Sequence, residues 1–277
     1  MITKAEIEAV DGTQFPALSF QKNVLAPIFD IQKEYYFRCF IEMTKAHVIM
    51  LSEQGLVTPE DTKTILKGIL EVEQIPFEER EYDPHFEDMF FMFEKALEEK
   101  IGSTLAGRVH TARSRNDIGV GEFRMVMRQE LVKVKASILR LKDTLLTLIS
   151  ENFDTVMPMY THTQPAQPST LAHYLLSMYD VLTRDMTRLT AVEKSINRSP
   201  LGAAAITTTG FPISRERVSE LLGFDGLLEN SYDCIAAADH TMEFAGVLQV
   251  LAVDMSRFMK DVLDYCTKEF GFFWLTS

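Results

Sequence analysis

Three stretches of the chain place apolar residues at alternating steps of four and three, the spacing of an α-helix that buries one face. The first covers Met127 to Leu148 and contains neither proline nor glycine. The second runs from about Ser169 to Asn197, and the third from about Asp233 to Thr267. At 1.5 Å per residue each helix is roughly 45 Å long, which exceeds an ordinary globular domain. The pattern therefore predicts an all-α chain built on a long helical bundle.

The third stretch is apolar on more than one side, because Val247, Val250 and Val253 lie outside its main stripe. Such a helix needs more apolar partners than one chain supplies. We therefore expect other copies of the chain to cover it, in a symmetric homo-oligomer.

The residues before the first long helix predict a smaller, mostly helical N-terminal domain. Residues 1–27 show little periodicity, so we expect an irregular arm there. Helices are expected at 29–54, 58–73 and 86–101, and a short one at 214–222. No strand alternation of useful length is visible. The predicted division is residues 1–117 and residues 118–277.

The overall charge excludes several classes of partner. A formal charge of -12 and a pI of about 5.0 argue against general nucleic-acid or anionic-membrane binding.

Cys39, Cys234 and Cys266 form no CxxC pair, so neither a disulfide framework nor a zinc site is predicted. We expect free thiols in a reducing cytoplasm, with no signal peptide and no membrane-spanning segment.

The residues from Gly107 to Asp117 concentrate hydrogen-bond donors. They include three arginines, a histidine, two hydroxyls and an amide, and a helical pattern follows directly. Donors placed before a helix N-terminus suit a small anion. A solvated basic loop with a capping residue is the other interpretation.

A second polar segment follows Pro158 and lies between two long helices. It contains Tyr160, Thr161, His162, Thr163 and Gln164. His162 is a candidate general acid or base, because the pKa of a free histidine lies near neutrality. A histidine that caps a helix or binds a carbonyl is the alternative.

These segments resemble the argininosuccinate lyase branch of the fumarase/aspartase superfamily. The similar motifs are RVHTARSRND at 108–117, MPMYTHTQPAQP at 157–168, SPLGA at 199–203 and LGFDG at 222–226. The resemblance implies a mostly helical homotetramer whose active sites are built from segments of different subunits. It also implies elimination of fumarate from an N-substituted aspartate, without a metal or organic cofactor.

The resemblance assigns roles to five residues. Ser114, Arg115 and Asn116 are expected to bind the substrate, and Thr161 to hold one of its carboxylates. His162 is expected to be the acid–base histidine or the partner that orients the catalytic group.

The sequence departs from the family pattern at positions expected to contact the substituent on the substrate's amino nitrogen. Ala112 replaces a glycine, Thr163 and Pro165 replace leucine and arginine, and Phe90 replaces a histidine. Another N-substituted aspartate, such as ethylenediamine-disuccinate, therefore stays open beside argininosuccinate.

The family's mobile loop with the catalytic serine is expected soon after Phe272, and Ser277 precedes it. On this resemblance the chain is truncated before that loop and the C-terminal domain. We expect that these 277 residues alone do not turn over substrate, and normal rates in a fumarate absorbance assay would contradict this.

Two other functions remain as alternatives. One is a non-catalytic structural protein on the same scaffold, as in lens crystallins of this family. The other is an RNA-binding arginine cluster, which the acidic composition and the lack of aromatic residues within 107–117 disfavour.

Overall fold

The computed structural model describes residues 3–13 and 16–274, which form two compact units. The first unit contains residues 1–126 and 197–237, and the second contains residues 127–196 and 238–277. The division after residue 117 stays a prediction. The described residues are mostly helical, which agrees with the predicted all-α class.

The first unit is built from helices of moderate length. They are α1 Lys4–Asp11, α2 Leu18–Phe20, α3 Ala26–Ile31, α4 Phe37–Glu53, α5 Pro59–Glu73, α6 Met89–Ile101, α7 Ser103–Val109, α10 Arg215–Leu221 and α11 Ser231–Ala236. Two π-helical turns, Gln21–Leu25 and Gln32–Tyr36, connect α2, α3 and α4. Side chains of α4, α5 and α6 supply most of its core.

The irregular arm expected at residues 1–27 is wrong for the described part of that range. Thr3 and Glu6 form a reciprocal capping box that starts α1, and a second helical run begins at Leu18. The capping box is a signal that apolar periodicity alone does not reveal, because α1 has no buried residue.

Two predicted helix starts depend on side-chain caps. The Thr58 hydroxyl accepts a hydrogen bond from the Asp61 backbone N–H at 3.1 Å and caps the helix that begins at Pro59, close to the predicted start at residue 58. The helix expected from Phe86 begins instead at Met89, because the Asp88 carboxylate accepts from the Phe91 backbone N–H at 3.2 Å.

Three long helices are present, as the apolar stripes predict. Helix α8 spans Arg115–Glu151, beginning in the first unit and continuing in the second, α9 spans Leu171–Ile196 and α12 spans Asp239–Tyr265. The expected single helix from Asp233 to Thr267 is wrong, because Ala237 is extended and separates α11 from α12. Helix α11 belongs to the first unit, where the Arg215 guanidinium donates to the Cys234 thiol at 3.3 Å.

A β-hairpin interrupts the long helices, and the expectation that the chain lacks strands is wrong at this point. Strand β1 Val156–Thr161 pairs antiparallel with β2 Gln164–Thr170, with a bulge between Met159 and Tyr160. Three prolines hide the alternation from a reading of the sequence, because proline is rare inside strands.

Within the second unit the predicted stripe of α9 is buried almost completely. Its buried members are Leu175, Met178, Leu182, Leu189, Val192 and Ile196. Lys135 of α8 pairs with Glu193 of α9, and Lys142 donates to Thr183 at 2.8 Å.

Helix α8 also has an exposed apolar seam, formed by Val132, Leu139 and Leu146, which follow one another at steps of seven. Within residues 3–13 and 16–274, no helix is long and apolar enough to cross a membrane.

Candidate active site

Asp117 holds two distant loops of the first unit together. Its carboxylate accepts the Ser114 backbone N–H at 3.0 Å, the Gly202 N–H at 3.0 Å and the Ala204 N–H at 2.9 Å. The side chain is 1% exposed, and burial raises the pKa of Asp117 while the three N–H donors oppose that rise. The polar stretch before α8 is thereby fixed against the loop that contains Gly202 and Ala204.

The three substrate-binding candidates of this stretch lie side by side at the start of α8. Ser114 Oγ accepts from the Asn116 backbone N–H at 3.3 Å, as a capping residue does. Asn116 donates its side-chain amide to the Ala205 carbonyl at 2.8 Å. Arg115 and Asn116 are exposed, so their donors are accessible at the helix N-terminus.

Two carboxylates hold the Arg115 guanidinium. Its Nη1 lies 2.8 Å from Asp88 Oδ2 and 3.2 Å from Glu87 Oε2, and the guanidinium stacks 4.7 Å from the Phe91 ring centroid. Partial burial lowers the pKa of Arg115, but the bonds and charges of Asp88 and Glu87 outweigh it and raise the pKa. Arg115 therefore remains cationic and fixed in direction.

Arg113 belongs to the core rather than to the accessible surface. It is 9% exposed, donates to the Thr44 hydroxyl at 3.1 Å and lies about 6 Å from the Phe40 and Phe90 rings. Burial lowers the pKa of Arg113 to about 10, against the opposing charges of Glu94, Asp117 and Glu122. The guanidinium is still protonated at neutral pH.

Two further titratable groups are buried beside Arg113. Burial raises the pKa of Glu122 to about 8, with Asp88 adding to the rise and Arg113 opposing it. Burial and the Arg113 charge lower the pKa of His47 to about 3. His47 is therefore neutral at pH 7, and its Nε2 lies 2.8 Å from the Thr111 carbonyl, as a donor to that oxygen. This bond anchors the polar stretch to α4.

Both loops that meet at Asp117 contain an alanine in the left-handed region. Ala112 has φ 62° and Ala204 has φ 51°. Such a conformation costs a non-glycine residue roughly 1–2 kcal/mol. The contacts of Asp117 and His47 hold these loops in a shape that the alanines disfavour, and backbone strain of this kind concentrates at functional sites.

The other candidates, Thr161 and His162, lie at the tip of the hairpin in the second unit. Thr161 pairs with Gln164 in the ladder, so His162 and Thr163 form a two-residue turn. Both have positive φ, 47° and 63°, which is the requirement of a type I′ turn. That turn normally uses Asn-Gly, and here it contains an exposed histidine followed by a β-branched threonine, which local preference disfavours at positive φ.

Among the described residues, no group of three or more His, Cys, Asp or Glu side chains is arranged to hold a metal ion.

A family model described as Lyase matches residues 27–277. The chain belongs to this family. Argininosuccinate lyase 2 of Agrobacterium fabrum is 39% identical over 262 residues, which is 94% of this chain and 52% of that protein. The argininosuccinate lyase of Methanocaldococcus jannaschii is 41% identical, over 82% of this chain and 47% of that protein. The chain thus spans about half the length of the curated relatives it matches.

A solved structure of an EDDS lyase variant with bound fumarate superimposes with a TM-score of 0.79 at 34% identity. The aligned region covers 98% of this chain and 53% of the EDDS lyase variant's chain. Membership of the argininosuccinate lyase branch, inferred from the motifs between residues 108 and 226, is confirmed by these relatives.

Reasoning from the sequence alone missed three residues that hold the candidate site in place. Asp117 is only the last residue of the polar stretch in the sequence, whereas its partners Gly202 and Ala204 lie 85 and 87 residues away. Asp88 caps α6 and also binds Arg115, which only the fold reveals. Nothing in the sequence singles out His47, because the Thr111 carbonyl that its Nε2 contacts lies 64 residues away in the chain.

Proposed function

We propose that this chain forms part of a carbon–nitrogen lyase that eliminates fumarate from an N-substituted aspartate, with argininosuccinate as the first candidate substrate. The observation that carries the proposal is the junction at Asp117. It fixes Ser114, Arg115 and Asn116 as adjacent donors at the first turn of a long helix.

The chemistry explains why donors are needed there. A proton leaves the carbon next to a substrate carboxylate, and the negative charge spreads into that carboxylate as an aci-form. Preorganised donors stabilise such charge more effectively than water does. Arg115 and the second side-chain N–H of Asn116 supply them in this proposal, at the positive end of the α8 dipole.

The hairpin tip supplies the second group of residues. The Thr161 hydroxyl holds a substrate carboxylate, and His162 transfers a proton or orients the group that does so. As the carbon–nitrogen bond breaks, its electron pair goes to the nitrogen and the carbanion pair forms the double bond of fumarate. The departing amine takes a proton, so the charge balances.

We also propose a homotetramer in which different subunits contribute to each active site. Support comes from the exposed apolar side chains of the long helices, among them Leu139 and Leu146 of α8 and Val253 and Leu263 of α12. Apolar seams on helices of this length are typical of subunit contacts.

A second candidate, a lyase for ethylenediamine-disuccinate or a related compound, is favoured by Phe90 and Ala112. Phe90 is 6% exposed and packs against Phe40 and His110, so it offers no polar group to a substituent. Ala112 has φ 62°, a conformation that glycine adopts more easily, and it adds a methyl group at that position. A different amine is the expected consequence, and fumarate release is unaffected by it.

A substrate panel on the complete gene product tests the proposal. Fumarate release is followed by absorbance with argininosuccinate, ethylenediamine-disuccinate and aspartate. We expect His162→Asn to lower kcat by about 10²- to 10⁴-fold, the usual contribution of a positioned acid or base. His85→Asn is the matched control, because His85 is exposed in a turn beside Asp83. Unchanged rates in His162→Asn, or no fumarate from any substrate, would overturn the proposal.

Mixing variants tests the shared site. Arg115→Ala and His162→Asn subunits, each inactive alone, are expected to regain part of the activity when combined. Arg115→Ala mixed with Asn116→Ala should regain none, because both lesions affect the same segment. Equal recovery in the two mixtures would contradict a site built from different subunits.

A further inference from the structure

The hairpin that carries His162 lacks most of what stabilises a hairpin. Pro158, Pro165 and Pro168 have no N–H to donate to the ladder, and Pro158 faces Pro168 directly. The turn residues His162 and Thr163 both adopt the left-handed conformation. A two-stranded hairpin is marginal in water even without these defects. Contacts other than the hydrogen bonds between β1 and β2 must therefore stabilise the hairpin.

An aromatic cluster at the C-terminal end of α12 provides that support. The Tyr160 ring of β1 lies 5.2 Å from Phe270, 6.4 Å from Tyr265 and 6.4 Å from Phe272, measured between ring centroids. Tyr265 is 7% exposed and also contacts Phe270 and Phe272, so the rings pack on one another. Tyr160 is the residue before Thr161 and two before His162.

A second contact ties α9 to the same cluster. The Tyr174 ring lies 5.7 Å from Tyr265 and is stacked 6.2 Å from Phe258. Its hydroxyl donates to Asp261 of α12 at 2.9 Å. Strand β2 leads directly into α9, so both strands of the hairpin are connected to one rigid group of rings.

We propose that Tyr160 is a positioning residue, which uses the cluster of Tyr265, Phe270 and Phe272 to fix the direction in which the hairpin tip presents Thr161 and His162. The proposal rests on the function proposed above, because it assigns Tyr160 a role through His162. Tyr160 contributes its ring, and its hydroxyl is not required.

Two variants separate ring packing from the hydroxyl. Tyr160→Phe keeps the aromatic ring and removes the hydroxyl. Tyr160→Val keeps a residue that favours strands but removes the ring. Tyr232→Val is the matched control, because Tyr232 is 62% exposed on α11 in the first unit. Amide hydrogen exchange of β1 and β2 is measured in the 277-residue chain. We expect exchange at least about tenfold faster in Tyr160→Val, as the loss of several ring pairs gives. Exchange should be unchanged in Tyr160→Phe and in the control.

Steady-state kinetics of the complete gene product supply the functional readout. In Tyr160→Val we expect kcat to fall by about 10- to 100-fold, with KM changed by less than about threefold, because misplacing a reacting group affects the chemical step. Tyr160→Phe should restore kcat to within about threefold of the unmodified protein.

The outcomes distinguish this inference from the proposed function. If His162→Asn loses activity while Tyr160→Val keeps its kcat, the inference is overturned and the proposed function stands. If Tyr160→Phe is as impaired as Tyr160→Val, the ring-packing role is also overturned. If His162→Asn remains fully active, the proposed function itself fails, whatever the behaviour of Tyr160.

Discussion

Asp117 shows how one buried side chain can fix two loops that are distant in the sequence. It accepts three backbone N–H groups from two loops, while burial raises its pKa and makes its ionised form expensive. Its stabilising contribution therefore lies in three acceptor bonds rather than in its charge. The positions of Arg115 and Asn116 depend on these bonds, because both residues lie in the turn that Asp117 closes.

Replacing Asp117 by asparagine keeps the shape but offers a single acceptor oxygen. At least one backbone N–H then faces an amide N–H, and we expect the free energy of unfolding to fall by about 1–3 kcal/mol. Chemical denaturation measures the change, with Asp180→Asn, an exposed site on α9, as the control. An Asp117→Asn protein as stable as the control would show that the three bonds do not support the loops.

Glu122 gives a pH dependence whose sign can be worked out. Its pKa rises from an ordinary 4.5 to about 8, so the folded chain keeps a proton that the unfolded chain releases. The free energy of unfolding therefore falls as pH rises from about 4.5 to about 8, by at most about 1.4 kcal/mol per pH unit. Glu122→Gln mimics the protonated form and removes this loss.

We expect the stability advantage of Glu122→Gln over the unmodified chain to grow steadily across that pH window. Thermal or urea unfolding at several pH values checks it, and Glu151→Gln, an exposed residue on the same helix, should show no such trend. A difference between the two proteins that stays constant with pH would exclude a raised pKa at Glu122.

At the scale of elements, the backbone of the hairpin is strained at its tip, directly after His162. Thr163 has φ 63° at a turn position that glycine prefers. Thr163→Gly removes a cost of roughly 1–2 kcal/mol, part of which the more flexible unfolded chain offsets. We expect slower amide exchange in β1 and β2, and a gain of up to about 1 kcal/mol in local stability.

The matched control is Thr147→Gly, because Thr147 lies on the exposed side of α8, where glycine costs about 1 kcal/mol relative to alanine and roughly 0.3 kcal/mol relative to threonine. The two glycine substitutions should thus act with opposite sign. If both destabilise the chain, the left-handed turn at His162 and Thr163 is not a source of strain.

The long helices were predictable, and the hairpin and the junction were not, for different physical reasons. Periodic apolar residues such as Leu175, Leu182 and Leu189 encode burial locally, so a stripe predicts a helix without knowledge of its partners. The hairpin depends on Tyr160 meeting rings more than 100 residues later. Asp117 depends on N–H groups that only the fold brings near. The position of functional side chains follows from such long-range contacts.

At the scale of the whole molecule, the apolar seams that one chain leaves exposed indicate where other copies of the chain bind. Val132, Leu139 and Leu146 of α8 are 55%, 50% and 44% exposed, and their spacing of seven keeps them on one face. Full burial of each such side chain contributes about 1.5–3 kcal/mol. A seam of this kind on a helix of 37 residues can support a large interface between copies.

Leu139→Glu tests whether this seam is a subunit contact. A carboxylate at its centre loses the apolar gain and must be desolvated, so we expect the oligomer proposed above to dissociate to smaller species. Light scattering coupled to size-exclusion chromatography measures the mass. Thr144→Glu introduces the same charge five residues away, at an exposed site on another side of α8, and should leave the mass unchanged. Equal masses for both variants would show that copies do not meet along this seam. Dissociation in both would show that added charge on α8, rather than loss of apolar contact, is the cause.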